Sequence, residues 1–574
     1  MKRYISSESN SRTEKTIHLT RKENNNNYFL ESIRRFSWAI LGVCALLQCL
    51  LFVNFENIIV VLLVLIAWGL VTKFFLNNKQ LWAFPLSTFL IVGFCVTHFY
   101  FPLVFTLLEG KPVVYNLTQP LSVFLHSLIT LFVLIITHSI YRSFDARSRL
   151  GTALNKVKLY EPPTDIQVWA MGFIGLGAMF YIYFYSPSVG REATGAADKA
   201  IQAFVPFTYA PFFIPFGKLY GKREPVSKRL IFMLIAFTLL LFVVSLGRNS
   251  RGAFMLGFTS VVFAYGLGLL LGLFKSQLLT FKNVFIAGSI VWLLTGPIAD
   301  LGTAMVLVRA QRNSTARSEL IKQTLEVYQN KEALEAAKNV GKKEKKDWDE
   351  DYMDNIFLAR FCNMKYNDAS LVMADKLKEH DADILDFSID RLITTLPAPF
   401  IEALNINVDK KSLSSVSFGD YLYVRAGAGE SALGAFRTGH YAGTGMAAFG
   451  WWYVLILALL MLPVYLLIDK LSFRITNNQY PSWNPKSKEP GFSLCALLSL
   501  TLVFTFLQAE SVVSIATFII RGWAQVVLLY LAIFHITRFM ISAFRGSRFK
   551  KTSNRVRVNV NTERAILDSQ ISLK

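Results

Sequence analysis

Long, uninterrupted apolar runs are the feature that most limits what this chain can fold into. Several stretches carry almost no charge over about 20 residues, the length that an α-helix needs to cross a hydrocarbon core. The runs do not alternate between polar and apolar residues, which favours helices over the strands of a membrane barrel. Hydrophobic residues make up 53% and charged residues 17% of 574 residues, which excludes an ordinary soluble or disordered protein. The sequence therefore predicts an all-α polytopic membrane protein.

The apolar runs predict about twelve transmembrane helices. The sixth is short and contains Pro206, Pro211 and Pro215, which kink or break a helix. In chain order the predicted spans are Phe36–Asn54, Asn57–Leu76, Leu81–Leu108, Leu121–Tyr141, Val168–Tyr185, Phe204–Phe216, Leu230–Leu246, Ala253–Phe274, Val284–Val308, Trp451–Ile468, Phe492–Leu507 and Val512–Ile536.

Basic residues near the ends of the spans set the orientation of a membrane protein. They alternate from one connection to the next, so we predict that both termini are cytoplasmic. The net charge of +21 then reflects topology, and nucleic-acid binding is not needed to explain it. The predicted organisation is a cytoplasmic tail (1–35), transmembrane helices 1 to 9 (36–308), a large periplasmic loop (309–449), transmembrane helices 10 to 12 (450–537) and a basic cytoplasmic tail (538–574).

The large outward loop is predicted to be mainly helical. Its periodicity predicts one amphipathic helix over Ser314–Lys346, a second over Tyr352–Glu379 and a third over Ala382–Thr395, which Pro397 stops. The charge cluster Lys342–Asp351 is typical of a solvated turn. A Gly-rich stretch then leads into the tenth span. Such a stretch is typical of a mobile binding loop and equally of a loose connector.

Arginines on the outward side are the first candidates for function. Arg248 and Arg251 lie in the turn between the seventh and eighth spans, and Arg309 leaves the ninth. Charged residues inside a bilayer cost about 2.5 to 3.5 kcal/mol each at mid-helix, so such residues near the membrane require a reason. Guanidinium groups stay charged and bind phosphate oxygens in a bidentate manner. The pattern predicts a lipid-diphosphate site; pairing with an acid or a phospholipid head group is the alternative for each arginine.

Four further residues extend this candidate site. Arg521 lies within the last predicted span, near mid-depth if that span is continuous. Arg437 and His440 approach the tenth span, and Glu510 precedes the twelfth. His440, or an acid such as Glu510, is a candidate proton acceptor, while a hydrogen-bonded structural role for His440 is equally open.

The sequence carries no motif for a metal or a cofactor. It contains no Walker loop, no nucleophile elbow and no zinc-type spacing among its five cysteines. The one outward DxD, at Asp381 and Asp383, lies in a charged run that is typical of solvated surface. We therefore expect neither a metal nor a cofactor.

The layout of spans resembles that of the bacterial membrane polysaccharide polymerases of the O-antigen type. Two local stretches carry the same resemblance: Leu246-Gly-Arg-Asn-Ser-Arg251-Gly, and Gly439-His-Tyr-Ala-Gly-Thr-Gly-Met-Ala-Ala-Phe-Gly-Trp451, which is also similar to the related O-antigen ligases. The arginine–glycine pattern of some polymerase loops is not matched by Arg425 or Arg437. The resemblance implies a GT-C-like fold in the bacterial inner membrane.

The resemblance also implies a function. It predicts that undecaprenyl-diphosphate-linked oligosaccharide repeat units are polymerised into O-antigen or capsular polysaccharide by metal-independent inverting glycosyl transfer on the periplasmic face. Arginines would contact the diphosphate or sugar, and His440 would lie near the acceptor. The expected partners are this lipid-linked oligosaccharide, membrane lipid and a polysaccharide chain-length regulator. An O-antigen ligase, a transporter or flippase of a polar or lipid-linked solute, and a membrane scaffold are the alternatives.

Overall fold

The computed structural model describes most of the chain. The described residues are 29–144, 149–185, 188–189, 192–193, 196–222, 227–246, 251–274, 317–332, 348–377, 380–396, 398–476, 488–502 and 509–545, with isolated positions between 285 and 308 and at 506.

Nine helices among these residues are long and apolar enough to cross a membrane, so the chain is an all-α polytopic membrane protein. Seven of them precede the outward loop: α1 (Phe29–Leu51), α2 (Phe55–Phe74), α3 (Pro85–Leu108), α4 (Pro120–Ser143), α5 (Asp165–Phe184), α6 (Ala197–Tyr220) and α7 (Lys228–Ser245). The helix α8 (Arg251–Leu270) follows, and its shorter apolar part is Gly257–Leu270.

Smaller helices make up the loop, and two long helices follow it. The loop contains α9 (Arg317–Gln329), α10 (Met364–Lys376), α11 (Ala382–Ile393), α12 (Lys410–Ser415), α13 (Phe418–Tyr423) and α14 (Tyr441–Phe449). After it come α15 (Trp452–Asp469), α16 (Leu494–Leu498) and α17 (Val512–Ala543). Short helices occur at Asn78–Ala83, Arg149–Lys156, Ile356–Ala359 and Ala398–Ala403.

Two small antiparallel hairpins accompany the helices. The first pairs β1 (Ser188–Val189) with β2 (Glu192–Ala193). The second pairs β3 (Ser472–Thr476) with β4 (Lys488–Phe492), in the connection between α15 and α16.

The long helices expose apolar side chains that a lipid bilayer must cover. On α1, Phe36 is 60% exposed and Leu50 is 64% exposed, and on α7, Phe232 is 75% exposed. Apolar surface of this extent is not stable in contact with water. The exposed side chains therefore support the assignment of these helices as membrane spans.

One predicted span differs from expectation within the described residues, and another is not tested by them. The predicted eleventh span, Phe492–Leu507, begins as the five-residue helix α16, which ends at Leu498 and is followed by a turn. The predicted ninth span, Val284–Val308, lies largely outside the described residues. The count of twelve therefore stays a prediction.

The proline-rich sixth span is distorted as predicted. Val205–Tyr220 forms a 3₁₀-helix that contains Pro211 and Pro215. This segment packs closely on α5, where a Cβ on Gly175 would collide with the backbone of Thr208. Glycine at this position permits the close helix contact.

The large loop between α8 and α15 is fixed to the connection between α3 and α4. The buried carboxylate of Asp368 accepts hydrogen bonds from the backbone N–H groups of Thr118 and Gln119, and an ion pair joins it to Lys365 at 3.0 Å. Asp368 thereby holds the backbone at the N-terminal end of α4, where unpaired N–H groups favour a negative charge.

The second predicted helix of the loop also differs from expectation. The predicted helix over Tyr352–Glu379 is instead two helices, Ile356–Ala359 and α10, and Tyr352 itself binds the connection between α3 and α4. Tyr352 donates to the carbonyl of Val113 at 2.6 Å. The third predicted helix, Ala382–Thr395, is confirmed as α11, and Asp381 caps it.

Candidate functional site on the outward loop

Asp420 organises the chain that precedes α14. Its buried carboxylate accepts hydrogen bonds from the backbone N–H groups of Phe436, at 2.7 Å, and Arg437, at 3.0 Å. A Cβ on Gly419 would lie 2.5 Å from the carbonyl oxygen of Arg437, so only glycine permits this approach. The two segments are therefore held together, and the Gly-rich stretch is not a loose connector at this point.

Arg437 is fixed on one side and open on the other. Its Nη1 donates to Asp420 Oδ1 at 3.0 Å and to the carbonyl of Ala432 at 2.7 Å, and its guanidinium lies 4.5 Å from the ring centroid of Tyr423. Within the described part of the chain, Nε and Nη2 have no acceptor. Because an arginine carries five N–H donors, this side chain retains donors for a ligand.

Glu350 lies beside Arg437 and was missed by sequence analysis. Its Oε1 accepts hydrogen bonds from the backbone N–H of Thr438, at 2.8 Å, and from Nε1 of Trp348, at 3.2 Å. Burial raises the pKa of Glu350, although these two hydrogen bonds act in the opposite direction. The charge cluster around Glu350 predicted a solvated turn, and the tryptophan two residues earlier was the one signal of a buried position.

His440 is buried and caps α14. It is 1% exposed, and its Nδ1 accepts a hydrogen bond from the backbone N–H of Ala442 at 3.3 Å. Its ring centroid lies 5.8 Å from that of His98. Burial, and then the charges of His98 and His126, lower the pKa of His440. The structural role that the sequence left open is therefore present, and the predicted role near the acceptor stays a prediction.

Glu510 is joined to α14 through its backbone. Its carbonyl oxygen accepts a hydrogen bond from Oγ1 of Thr444 at 2.9 Å, and the carbonyl of Ala509 accepts one from the backbone N–H of Tyr441 at 2.8 Å. The segment before α17 is thereby attached to the same short helix that His440 caps. Two of the predicted site residues thus lie on adjacent segments.

Arg521 belongs to a second group of charges. It lies in a π-helical turn of α17, Phe518–Gly522, and is exposed. Burial lowers the pKa of Lys410, and the nearby positive charges of Arg521 and Lys199 lower it further. These three cations come from distant parts of the chain, and we call them the basic cluster. Sequence analysis found only Arg521, because the two lysines lie in ordinary polar contexts.

The side chains of the remaining predicted arginines lie outside the part of the chain that the structure describes. Arg248 and Arg309 lie outside the described residues, and Arg251 begins α8 without a described side chain. The site residues that the structure brings together are therefore Arg437, His440 and the backbone of Glu510.

The outward DxD is engaged by an arginine. Arg425 pairs with Asp381 at 2.8 Å and with Asp383 at 2.7 Å. Although burial opposes ionisation of Asp381, its hydrogen bonds from Arg425 lower its pKa. Across the described ranges, no group of three His, Cys, Asp or Glu side chains is arranged to hold a metal ion.

Comparisons with protein-family models, with curated proteins and with solved structures find no match to this chain.

Proposed function

We propose that the protein is a bacterial inner-membrane glycosyltransferase that polymerises undecaprenyl-diphosphate-linked oligosaccharide repeat units on the outward face. The observation that carries the proposal is the basic cluster, in which the positive charges of Lys199 and Arg521 act on Lys410 from two other segments of the chain. Like charges repel, and an anion bound among them would relieve this repulsion. A diphosphate on a lipid carrier is an anion of suitable charge.

The length of α17 supports a position of the cluster at the outer membrane boundary. A helix of 32 residues is roughly 48 Å long, which exceeds a hydrocarbon core of about 30 Å. Arg521 and Arg538 are roughly 25 Å apart along this helix. With Arg538 at the cytoplasmic boundary, Arg521 lies well past mid-depth, roughly 5 Å short of the outer edge of a hydrocarbon core of about 30 Å. This is close to the level at which the diphosphate of a lipid carrier lies.

Arg437 supports a separate role toward the sugars. It keeps unengaged N–H donors beside Glu350, in a position stabilised by Asp420. Hydrogen-bond donors next to a carboxylate are suited to carbohydrate hydroxyl groups. Together the two groups of charges match a substrate with an anionic end and a polar saccharide.

The proposed chemistry is a single displacement. An acceptor hydroxyl attacks the anomeric carbon, a glycosidic bond forms, and the carbon–oxygen bond to the diphosphate breaks with its electron pair on the leaving group. Fixed cations stabilise the charge that develops there, and one well-placed donor can contribute about 3 kcal/mol. We further propose that the protein has cytoplasmic termini and about twelve spans in a GT-C-like arrangement, and that a chain-length regulator is a partner.

Deletion and complementation in the native bacterium test this proposal. Loss of a polymerase leaves single repeat units in place of long chains, and the wild-type gene restores the long chains. Loss of a ligase instead leaves polymer on its lipid carrier, and loss of a flippase leaves lipid-linked repeats on the cytoplasmic side. An unchanged polysaccharide after deletion contradicts all three readings.

Variants of the basic cluster test the observation on which the proposed function rests. The double variant Arg521→Ala/Lys410→Ala is expected to lower polymerisation by purified protein in nanodiscs roughly 100-fold. Arg538→Ala is the matched control, because it removes an arginine from the other end of α17, where the partner is Glu161. Equal activity of the double variant and the control variant would show that the basic cluster does not take part in polymerisation.

A further inference from the structure

The carboxylate of Glu350 has one oxygen in use and one available. Oε1 receives the hydrogen bonds from Thr438 and Trp348, and Oε2 has no partner among the described residues. A carboxylate held through one oxygen has a fixed orientation for the other. The position of Oε2 is therefore defined before any ligand binds.

Arg437 does not neutralise this carboxylate. Its ion pair is with Asp420, at 3.0 Å, and it makes no ion pair with Glu350. The guanidinium and the Glu350 carboxylate are nevertheless close enough for their charges to interact. A hydrogen-bond donor and a proton acceptor thus lie within electrostatic range of each other without forming an ion pair.

His440 is a poor alternative as the proton acceptor in this structure. Because the backbone N–H of Ala442 donates to its Nδ1, the proton of the neutral ring lies on Nε2. The ring then has no free lone pair, and it is 1% exposed. A proton could enter Nδ1 only after the cap of α14 opened.

We propose that Glu350 is the general base, whose Oε2 takes the proton of the attacking sugar hydroxyl while Arg437 orients the acceptor. The oxygen–hydrogen bond of the acceptor breaks as the glycosidic bond forms, the proton passes to Glu350, and the diphosphate leaves with the electron pair of the anomeric bond. This inference rests on the proposed function, and it adds the residue that the displacement requires.

The charge state of Glu350 gives the inference a pH signature. The charged groups that act on it are Asp351, on its own segment, which raises its pKa, and Arg437, before α14, which lowers it. Burial makes the largest contribution and raises the pKa of Glu350. Because a general base must be ionised, the rate is expected to rise with pH as Glu350 loses its proton.

The first test uses Glu350→Gln in purified protein reconstituted in nanodiscs with the lipid-linked oligosaccharide. Glutamine keeps an oxygen for Thr438 and Trp348 but cannot accept the proton. We expect kcat to fall roughly 100-fold or more, KM for the lipid donor to stay within a few-fold, and the pH-dependent rise to vanish. Glu430→Gln, at an exposed glutamate of the same loop, is the matched control and is expected to behave as wild type.

A second variant covers the case in which glutamine disturbs folding, which a thermal melt of the reconstituted protein reports. Glu350→Ala is then assayed with added formate, and partial recovery of the rate supports the proposal. Normal turnover by Glu350→Gln, or no recovery by formate in a folded alanine variant, overturns it. If the wild-type protein itself fails to extend the oligosaccharide, the proposed function fails instead, so the two results are distinguishable.

Discussion

The backbone N–H and the side-chain Nη1 of Arg437 both donate to the same oxygen, Oδ1 of Asp420, at 3.0 Å in each case. Asp420 is fully buried, whereas the side chain of Arg437 is 23% exposed. One buried carboxylate therefore fixes both the backbone and the charged group of the residue that stands at the surface. Asp420, together with the carbonyl of Ala432, therefore orients Arg437.

Replacement of Asp420 by alanine is expected to destabilise the outward loop. The change leaves the guanidinium without its counter-charge and the N–H groups of Phe436 and Arg437 without an acceptor, which costs about 3 kcal/mol. Denaturant unfolding in detergent measures the loss, and faster proteolysis of the Gly-rich stretch locates it. Asp383→Asn is the control, because Asp383 is a 54% exposed partner of Arg425 and its loss costs less than about 1 kcal/mol. Equal stability of the two variants contradicts the role given to Asp420.

Two variants of His440 distinguish its structural role from a role in proton transfer. His440→Ala removes the cap of α14 and is expected to lower the free energy of unfolding by about 1 kcal/mol or more. His440→Asn restores a capping acceptor and is expected to recover much of this loss. Because we assign the proton transfer to Glu350, the asparagine variant should also keep most of the polymerising activity. A stable asparagine variant without activity would return the role of general base to His440.

Gly443 lets α14 approach α10 closely. A Cβ at this position would collide with the backbone of Ser370, which cannot move without shifting α10. Gly443→Ala is therefore expected to destabilise the protein by about 1 to 3 kcal/mol, as overpacking does in protein cores. Gly177→Ala is the matched control, since Gly177 lies in α5 with open space around it and alanine favours the helix there. Thermal unfolding of both variants in one detergent compares them, and a neutral Gly443→Ala would show that the two helices can separate.

The spans were predictable because a membrane helix requires about 20 consecutive apolar residues, which the sequence shows directly. All seven described spans before the loop overlap their predicted ranges, and α15 and α17 overlap theirs. The prediction of one continuous helix did not hold at α16, where an equally apolar segment forms a five-residue helix that ends at Leu498 and is followed by a turn. Hydropathy reports whether a segment is buried but does not distinguish a long helix from a short buried one.

The candidate site was harder to predict, since its members meet only in three dimensions. Arg437 and His440 lie three residues apart, yet one stands at the surface and the other is buried beneath it. Glu350 lies in a run of charges, and no periodicity marks it as half-buried. Lys410 and the two cations that act on it, Arg521 and Lys199, come from separate segments, and a single sequence carries no information on their proximity.

Removal of divalent metal ions is expected to leave polymerising activity unchanged, because Arg437 and the basic cluster would supply the positive charge that many glycosyltransferases obtain from a metal. The measurement is turnover of lipid-linked oligosaccharide in nanodiscs before and after treatment with a chelator. The variant Asp381→Asn/Asp383→Asn is a companion test, because these carboxylates are paired with Arg425 and are not assigned to catalysis. It should retain activity within a few-fold, because asparagine at position 381 keeps an oxygen that can cap α11 and Asp383 is 54% exposed. Loss of turnover on chelation, with recovery on adding Mg²⁺ or Mn²⁺, would show that a metal takes part and that the cationic side chains are insufficient.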